Sequence, residues 1–366
     1  MSGVPRRPGS ALLVESSVIC YFNTPPKSSQ TPLSIATTPE FIDLLIEPRW
    51  IAAVDPDVVL KNHAVAVHDG RIIAVLPAGE ARERFDPGKR VVLADHILIP
   101  GLVNLHTHAA MALMRGLADD LPLLDWLQKH IWPAESGNAS PQFVYDGTRL
   151  ACAEMLLGGI TCFNDMYFFP EAAASAASEL GMRAMLGITA LEFPTPYASD
   201  ADDYLDKGLA VREQWLSHPL IGFCLAPHAP YTVSDASFER ILTLSGQLNV
   251  PIHCHVHETR HEIDESLRQH GVTPLVRLQR LGLLGPGFIG VHAIHLEDGD
   301  LDLLAATGCS VAHCPASNLK LASGVAPVVR MRQLGINVGL GTDGAASNNR
   351  LDLFGEMRLA ALLAKG

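Results

Sequence analysis

Two rhythms of apolar and polar positions divide the chain. Between residues 41 and 98, short apolar or alternating segments at 42–46, 64–67, 72–76 and 91–93 are separated by turn residues such as Asp69-Gly70, Pro77 and Pro87-Gly88. Period-two runs punctuated by Gly and Pro predict the strands of a small β unit. From Gly101 onward, apolar runs that suit buried strands alternate with helical periodicity. The strand candidates are residues 102–106, 161–166, 183–189, 220–226, 250–256, 288–293, 309–313 and 336–341. Helical patterns cover 143–157, 171–180, 203–216, 236–248, 263–270 with 275–281, 301–306, 325–334 and 351–364. Ser140-Pro141 supplies an N-cap followed by proline at the first helical position. Eight β-then-α units predict an α/β chain built as a (β/α)8 TIM-type barrel over residues 99–366, with residues 41–98 as a small β domain on its N-terminal side.

Composition narrows the class. A chain of 366 residues with 48% hydrophobic content can bury a core of that size. A formal charge of −12 argues against a nucleic-acid or anionic-membrane partner. No run of 18 apolar residues occurs, so no transmembrane helix is expected. The seven cysteines, Cys20, Cys152, Cys162, Cys224, Cys254, Cys309 and Cys314, are odd in number and form no C-x-x-C. That pattern fits reduced thiols in the cytoplasm, not a disulfide framework. Residues 1–40 differ from the rest. Arg6-Arg7 followed by the apolar residues 11–14 resembles a secretory or twin-arginine leader, but Glu15 interrupts it and no clean small-residue cleavage site follows. The Ser/Thr/Pro-rich stretch 23–38 favours a disordered extension or an upstream start codon.

Barrels of this kind place their chemistry at the C-terminal ends of the strands. His106 and His108 end the first strand, His228 follows the fourth, His255, His257 and Glu258 end the fifth, His292 the sixth and His313 the seventh, and Asp343 follows the eighth. H-x-H alone is a weak signal, but a packed barrel has no reason to line one rim with histidines. His106, His108, His255 and Asp343 can supply metal ligands from three separate strands. A divalent metal lowers the pKa of its bound water towards about 7. Glu258 has the type and place to shuttle a proton, His292 to hold the water or developing alkoxide, and Asp343 to serve as ligand and base. In Pro251-Ile-His253-Cys-His255-Val-His257 three histidines share one face of a strand, and spacing does not choose the ligand among them. His253 should lie deepest, as a hydrogen-bonded core residue. His63, His68, His96, His130, His218, His261 and His270 are expected to be surface or packing residues, and His295 and His313 stay open. His257-Glu258-Thr259-Arg260-His261 fits the zinc-protease pattern H-E-x-x-H, but that pattern needs a helix and the preceding segment has strand chemistry. P-C-x-x-C and phosphate-loop signatures are absent.

The segments PGLVNLHTHAAMALMRGLADDLPLLDWLQKHIWPAE, APHAPYTV, HCHVHET, HCPASNLKLASG and GTDGAASNN together resemble the amidohydrolase superfamily. The likeness is greatest to its deaminases of 5′-methylthioadenosine and S-adenosylhomocysteine, and runs from about Phe41 to Gly366. The resemblance implies one divalent metal, usually zinc, on His106, His108, His255 and Asp343. It implies Glu258 as proton shuttle and purine contact, His292 orienting the attacking water, Glu135 accepting from the ribose hydroxyls and His228 touching the nucleoside. The implied reaction is attack of activated water at C6 of adenine with loss of ammonia. Without the family context, Glu135 reads as a solvated carboxylate at a helix end.

Two departures refine this. Members that accept S-adenosylhomocysteine carry an arginine shortly after the segment matching Gly181-Met-Arg183-Ala, whereas here none follows before Arg212. A tail carboxylate then lacks a bidentate partner, so 5′-methylthioadenosine is expected first, with S-adenosylhomocysteine and adenosine weaker. Arg183 itself reads as structural. Family members also continue into strands that complete the small β unit, whereas this sequence stops at Gly366. An incomplete β-sandwich with an exposed edge invites homo-oligomerisation. The alternatives are a related amidohydrolase acting on guanine or a triazine, and a truncated, inactive metal-binding barrel.

Overall fold

The computed structural model describes residues 38–365. Cys20 and nearly all of the expected N-terminal extension lie outside the described residues. The described residues fall into two compact units that divide between Gly101 and Leu102.

The first unit is one five-stranded sheet of β1 (Glu40–Ala52), β2 (Val59–Lys61), β3 (His63–His68), β4 (Arg71–Pro77) and β5 (Phe85–Leu98), with a helix at Ala78–Arg84. β1 pairs antiparallel with β2 and β3 and parallel with β5. Asp69 and Gly70 turn the β3–β4 hairpin with φ of 49° and 68°, the left-handed pair that suits the twist of a two-residue loop. Pro87-Gly88 does not form the turn expected from sequence. It lies inside β5, with Pro87 opposite Ile42. β5 pairs only with β1 among the described residues, so the missing proline N–H costs no ladder bond on the open side.

The second unit is the expected parallel barrel. Its strands are β6 (Leu102–Thr107), β7 (Ile160–Asp165), β8 (Arg183–Ala190), β9 (Ile221–Pro227), β10 (Ile252–Val256), β11 (Phe288–His292), β12 (Ser310–His313) and β13 (Asn337–Leu340), each parallel to the next in chain order. Helices follow the strands, and side chains of Ser140, Asp200, Ser234, Thr259, Thr273 and Asp352 cap six of them. No helix among the described residues is long and apolar enough to cross a membrane.

The two ends of the sheet are joined by side chains. A Cβ on Gly339 would sit 2.3 Å from Leu105 Cδ1, so only glycine lets β13 approach β6 there. Just beyond, the buried Asn104 amide accepts from Thr342 N (2.9 Å) and donates to Thr342 Oγ1 (2.7 Å), and Asp343 N donates to His106 O (3.0 Å). This seam brings Asp343 beside His106. Asn104→Ala would strand the Thr342 N–H in the core. It is expected to cost about 2–3 kcal/mol of stability, read as a lowered urea midpoint. A loss below about 0.5 kcal/mol would mean that backbone contacts alone hold the seam.

Short helical segments absent from the periodicity reading, at Ala109–Met114, Leu123–Asn138, Pro315–Lys320 and Ala345–Asn348, follow strand ends on the face where the histidines emerge.

Candidate active site

The strand ends converge. His106 Nε2 lies 3.2 Å from His255 Nε2 and 3.3 Å from Asp343 Oδ1, and His108 Nε2 lies 3.3 Å from the same oxygen. The ligand-type atoms of His106, His108 and His255 all fall within 4.8 Å of one another, as do those of His106, His292 and Asp343.

The far side of each ring is held. His108 Nδ1 donates to Met166 O (2.6 Å) and His255 Nδ1 to His228 O (2.7 Å). Carbonyls only accept, so these rings carry their proton on Nδ1 and turn the Nε2 lone pair inward. His106 Nδ1 rests on His253 Nε2 at 3.1 Å. Asp343 accepts from Ser317 Oγ (2.6 Å) and from Gly344 N (2.7 Å). Burial pushes the His106 pKa down to about 4 and that of His255 well below its usual value. For Asp343, burial is outweighed by His106, His108 and His292, which hold its carboxyl well below the usual range. Three imidazole nitrogens and one carboxylate oxygen, with second nitrogens anchored, are a donor set that suits zinc.

Beside this cluster, His292 Nδ1 meets Asn318 Oδ1 at 2.8 Å, and its Nε2 stands 3.7 Å from Glu258 Oε2. Burial pushes the Glu258 carboxyl above the usual carboxylate range, opposed by His292. His257, His292 and Asp343 adopt positive φ of 53°, 71° and 61°, strained for non-glycine residues and common at functional sites.

A cavity of about 420 Å³ opens from these groups. The sequence-predicted residues His108, Glu135, His228, His255, Glu258, His292 and Asp343 all line it. His106 sits beneath, fully buried. The opposite wall comes from Leu123–Asn138. There a π-helical turn at Leu127–Ile131 inserts one residue and keeps Trp126, Leu127, Ile131 and Glu135 facing the cavity. Burial pushes the Glu135 carboxyl up to about 7, while the neighbouring Tyr167 hydroxyl opposes the shift. No arginine or lysine is among the lining residues.

Other candidates fall away. His253 is the deep, hydrogen-bonded residue expected. His257 is a satisfied core histidine: Nδ1 donates to His295 O (2.9 Å), and Nε2 accepts from Leu275 N (3.2 Å). His261 lies exposed in the next helix, Arg260–His270, so H-E-x-x-H is not a metal site. His313 is buried but lines a separate small pocket. Arg183 donates to Pro219 O, a structural contact.

Sequence reasoning missed the supports. Asp165 accepts from Ala109 N (2.7 Å) and pins the turn after His108. The Glu262 carboxylate accepts from the backbone N–H of His257 (3.0 Å) and Glu258 (2.9 Å), fixing the turn that aims Glu258. Ser317 and Asn318 lay in the motif HCPASNLKLASG, which was the available signal.

An amidohydrolase family model matches residues 97–365. The chain is 51% identical over 325 residues to the 5-methylthioadenosine/S-adenosylhomocysteine deaminase of Saccharophagus degradans, covering 88% of this chain and 73% of that protein. Among solved structures it is similar to an adenosine deaminase from Xanthomonas campestris with bound zinc, with TM-score 0.88, 51% identity, and coverage of 90% of this chain and 75% of that one. A guanine deaminase from C. acetobutylicum shares the fold at TM-score 0.79 and 22% identity, covering 88% and 79%. With the strand-end histidines, the barrel and these likenesses in agreement, the chain belongs to the amidohydrolase family, in the branch of the 5-methylthioadenosine/S-adenosylhomocysteine deaminases.

Proposed function

We propose that this chain hydrolytically deaminates the adenine ring of 5′-methylthioadenosine, with S-adenosylhomocysteine and adenosine as weaker substrates, and that it uses one zinc ion. One observation carries the reading: metal-binding and proton-moving side chains line one cavity together with apolar residues and Glu135, and no arginine or lysine is among its described lining residues. His106, His108, His255 and Asp343 would hold the zinc. When bound, the ion supplies a water of lowered pKa.

The protein groups do the rest. His292 and Asp343 orient the water towards C6. Glu258 takes one proton from it and returns it to N1 of the purine; the water's second proton passes to the C6 amine as the new C=O forms and the C–N bond breaks, so that the amine leaves as ammonia. No nucleophilic Ser or Cys is needed. Glu135 accepts hydrogen bonds from the ribose hydroxyls, and His228 contacts the nucleoside. A methylthio group suits Trp126, Leu127 and Phe193, whereas an amino-acid tail would leave its carboxylate without a cation among the described lining residues. Residues 99–366 form the hydrolase domain and 41–98 the small β domain in this reading. The six unpaired described cysteines support a reducing, cytoplasmic setting. The edge of β5 that is unpaired among the described residues supports self-association.

An ultraviolet assay of zinc-loaded protein with 5′-methylthioadenosine, S-adenosylhomocysteine, adenosine and guanine tests this. Highest kcat/KM for 5′-methylthioadenosine is expected, and guanine as best substrate would overturn it. Glu135→Ala should raise KM for the nucleosides about 10- to 100-fold, the worth of a lost charged hydrogen bond, and barely alter turnover of a free base. Equal loss on both would make Glu135 structural.

A further inference from the structure

The motif His313-Cys-Pro-Ala-Ser317-Asn318 is left without a task by the reaction as described. It leaves β12 and forms the short helix Pro315–Lys320, whose residues Ser317 and Asn318 are almost completely buried. From this one turn, the Ser317 hydroxyl reaches Asp343 Oδ2 (2.6 Å), and the Asn318 amide oxygen reaches His292 Nδ1 (2.8 Å). Two proposed reaction groups from different strands are thus held by adjacent residues of a third element.

The turn is anchored on all sides. Asn318 N donates to Cys314 O (3.0 Å), and Asn318 O accepts from Ser323 N (2.8 Å) and Gly324 N (3.3 Å). Lys320 Nζ donates to Ala346 O (2.9 Å) and Asn349 Oδ1 (2.8 Å) and pairs with Asp119 (2.6 Å), tying the helix to the segment that follows Asp343. The Asn318 side chain therefore has a fixed base and little freedom to follow its partner. Its Nδ2 has no protein partner. A buried amide with an unpaired N–H is costly, and an apolar residue of the same size would fill the site without that cost. The amide is better explained by its contact with His292.

We infer that Asn318 is a positioning residue for the reaction: its side-chain oxygen accepts the Nδ1 proton of His292, so that His292 turns a bare Nε2 towards the cavity and receives a hydrogen bond from the attacking water. The arrangement fits the geometry across the gap. His292 Nε2 and Glu258 Oε2 stand 3.7 Å apart. Two acceptors at that separation are bridged well by one water that donates a proton to each. The water is thereby aligned, and the proton destined for the purine is the one facing Glu258. This rests on the deaminase reading for its kinetic consequence, but not for the tautomer.

The test uses zinc-loaded, full-length protein labelled with 15N-histidine, with His292 assigned by comparison with His292→Gln. The spectrum is expected to show a proton on Nδ1 and none on Nε2. Asn318→Leu should lose that signature and about 10- to 100-fold in kcat, the usual effect of removing such a support, with zinc content and KM within about twofold. Asn318→Asp, which keeps an acceptor at the same place, should recover most of the lost rate. A proton on Nε2 in the unmodified protein would overturn the inference. So would an Asn318→Leu enzyme with undiminished kcat, or an aspartate variant no better than leucine. If the leucine variant does not fold, the wild-type spectrum and the aspartate variant still decide. Absence of deamination by the unmodified enzyme would count against the deaminase reading instead, and the spectrum would judge Asn318 independently.

Discussion

Glu258→Gln is expected to leave zinc content and folding unchanged and to lower kcat by about 10²- to 10⁴-fold, the range contributed by a positioned acid–base group. Glutamine keeps the volume of the side chain and its contacts with Ser323 and the His292 ring but cannot exchange a proton. The native carboxyl is suited to that exchange. It is buried, its pKa is raised, and it faces His292 Nε2 at 3.7 Å. Its backbone N–H is tied to Glu262 (2.9 Å), so the direction in which it points is set by the turn and survives the substitution. Metal analysis and steady-state kinetics with 5′-methylthioadenosine check the result. Turnover within tenfold of the unmodified enzyme would remove Glu258 from proton transfer, and loss of zinc would make it a ligand.

Much of this site could be read from the chain because its groups sit at the ends of buried parallel strands. Such strands are apolar runs bounded by turns, and the polar residues that close them stand out. His106 and His108, His255 and Asp343 are visible for that reason. The choice among His253, His255 and His257 was not, since period-two spacing puts all three on one face. The structure separates them by depth and by a single backbone angle. His253 lies under His106, and the positive φ at His257 breaks the alternation and turns that ring into the core, where Leu275 and His295 satisfy it. The apolar wall was hidden for a related reason. Its helical segment contains a π turn at Leu127–Ile131, which shifts the 3.6-residue phase midway. Pro87-Gly88 reads as a turn wherever strand edges are unknown, and only the pairing shows that β5 has a side where proline is harmless. Asn104, Ser317 and Asn318 act through partners far away in sequence, so although the motif HCPASNLKLASG marked the last two, local pattern did not show which groups they hold.

Removal of the metal is expected to have the largest effect of all: thoroughly chelated protein should lose essentially all deamination and regain it on addition of zinc. The geometry gives a second, independent consequence. Hydrogen bonds to Met166 O and His228 O fix the Nδ1–H tautomers of His108 and His255, so inward-facing lone pairs crowd together with the Asp343 carboxylate, and His255 Nε2 lies only 3.2 Å from His106 Nε2. Buried acceptors facing one another without a cation are unfavourable. The metal therefore stabilises the fold as well as the reaction. At a free zinc concentration about 100-fold above its Kd, linkage contributes about 2.7 kcal/mol. For a unit of this size that corresponds to a melting temperature about 5 °C higher with zinc than without. Differential scanning calorimetry on the zinc-loaded and chelated forms reads this without any substrate. Equal melting temperatures would show that the cluster holds no structural cation. Undiminished turnover after chelation would end the metal-dependent mechanism, because the water would then be activated by the protein's own groups alone.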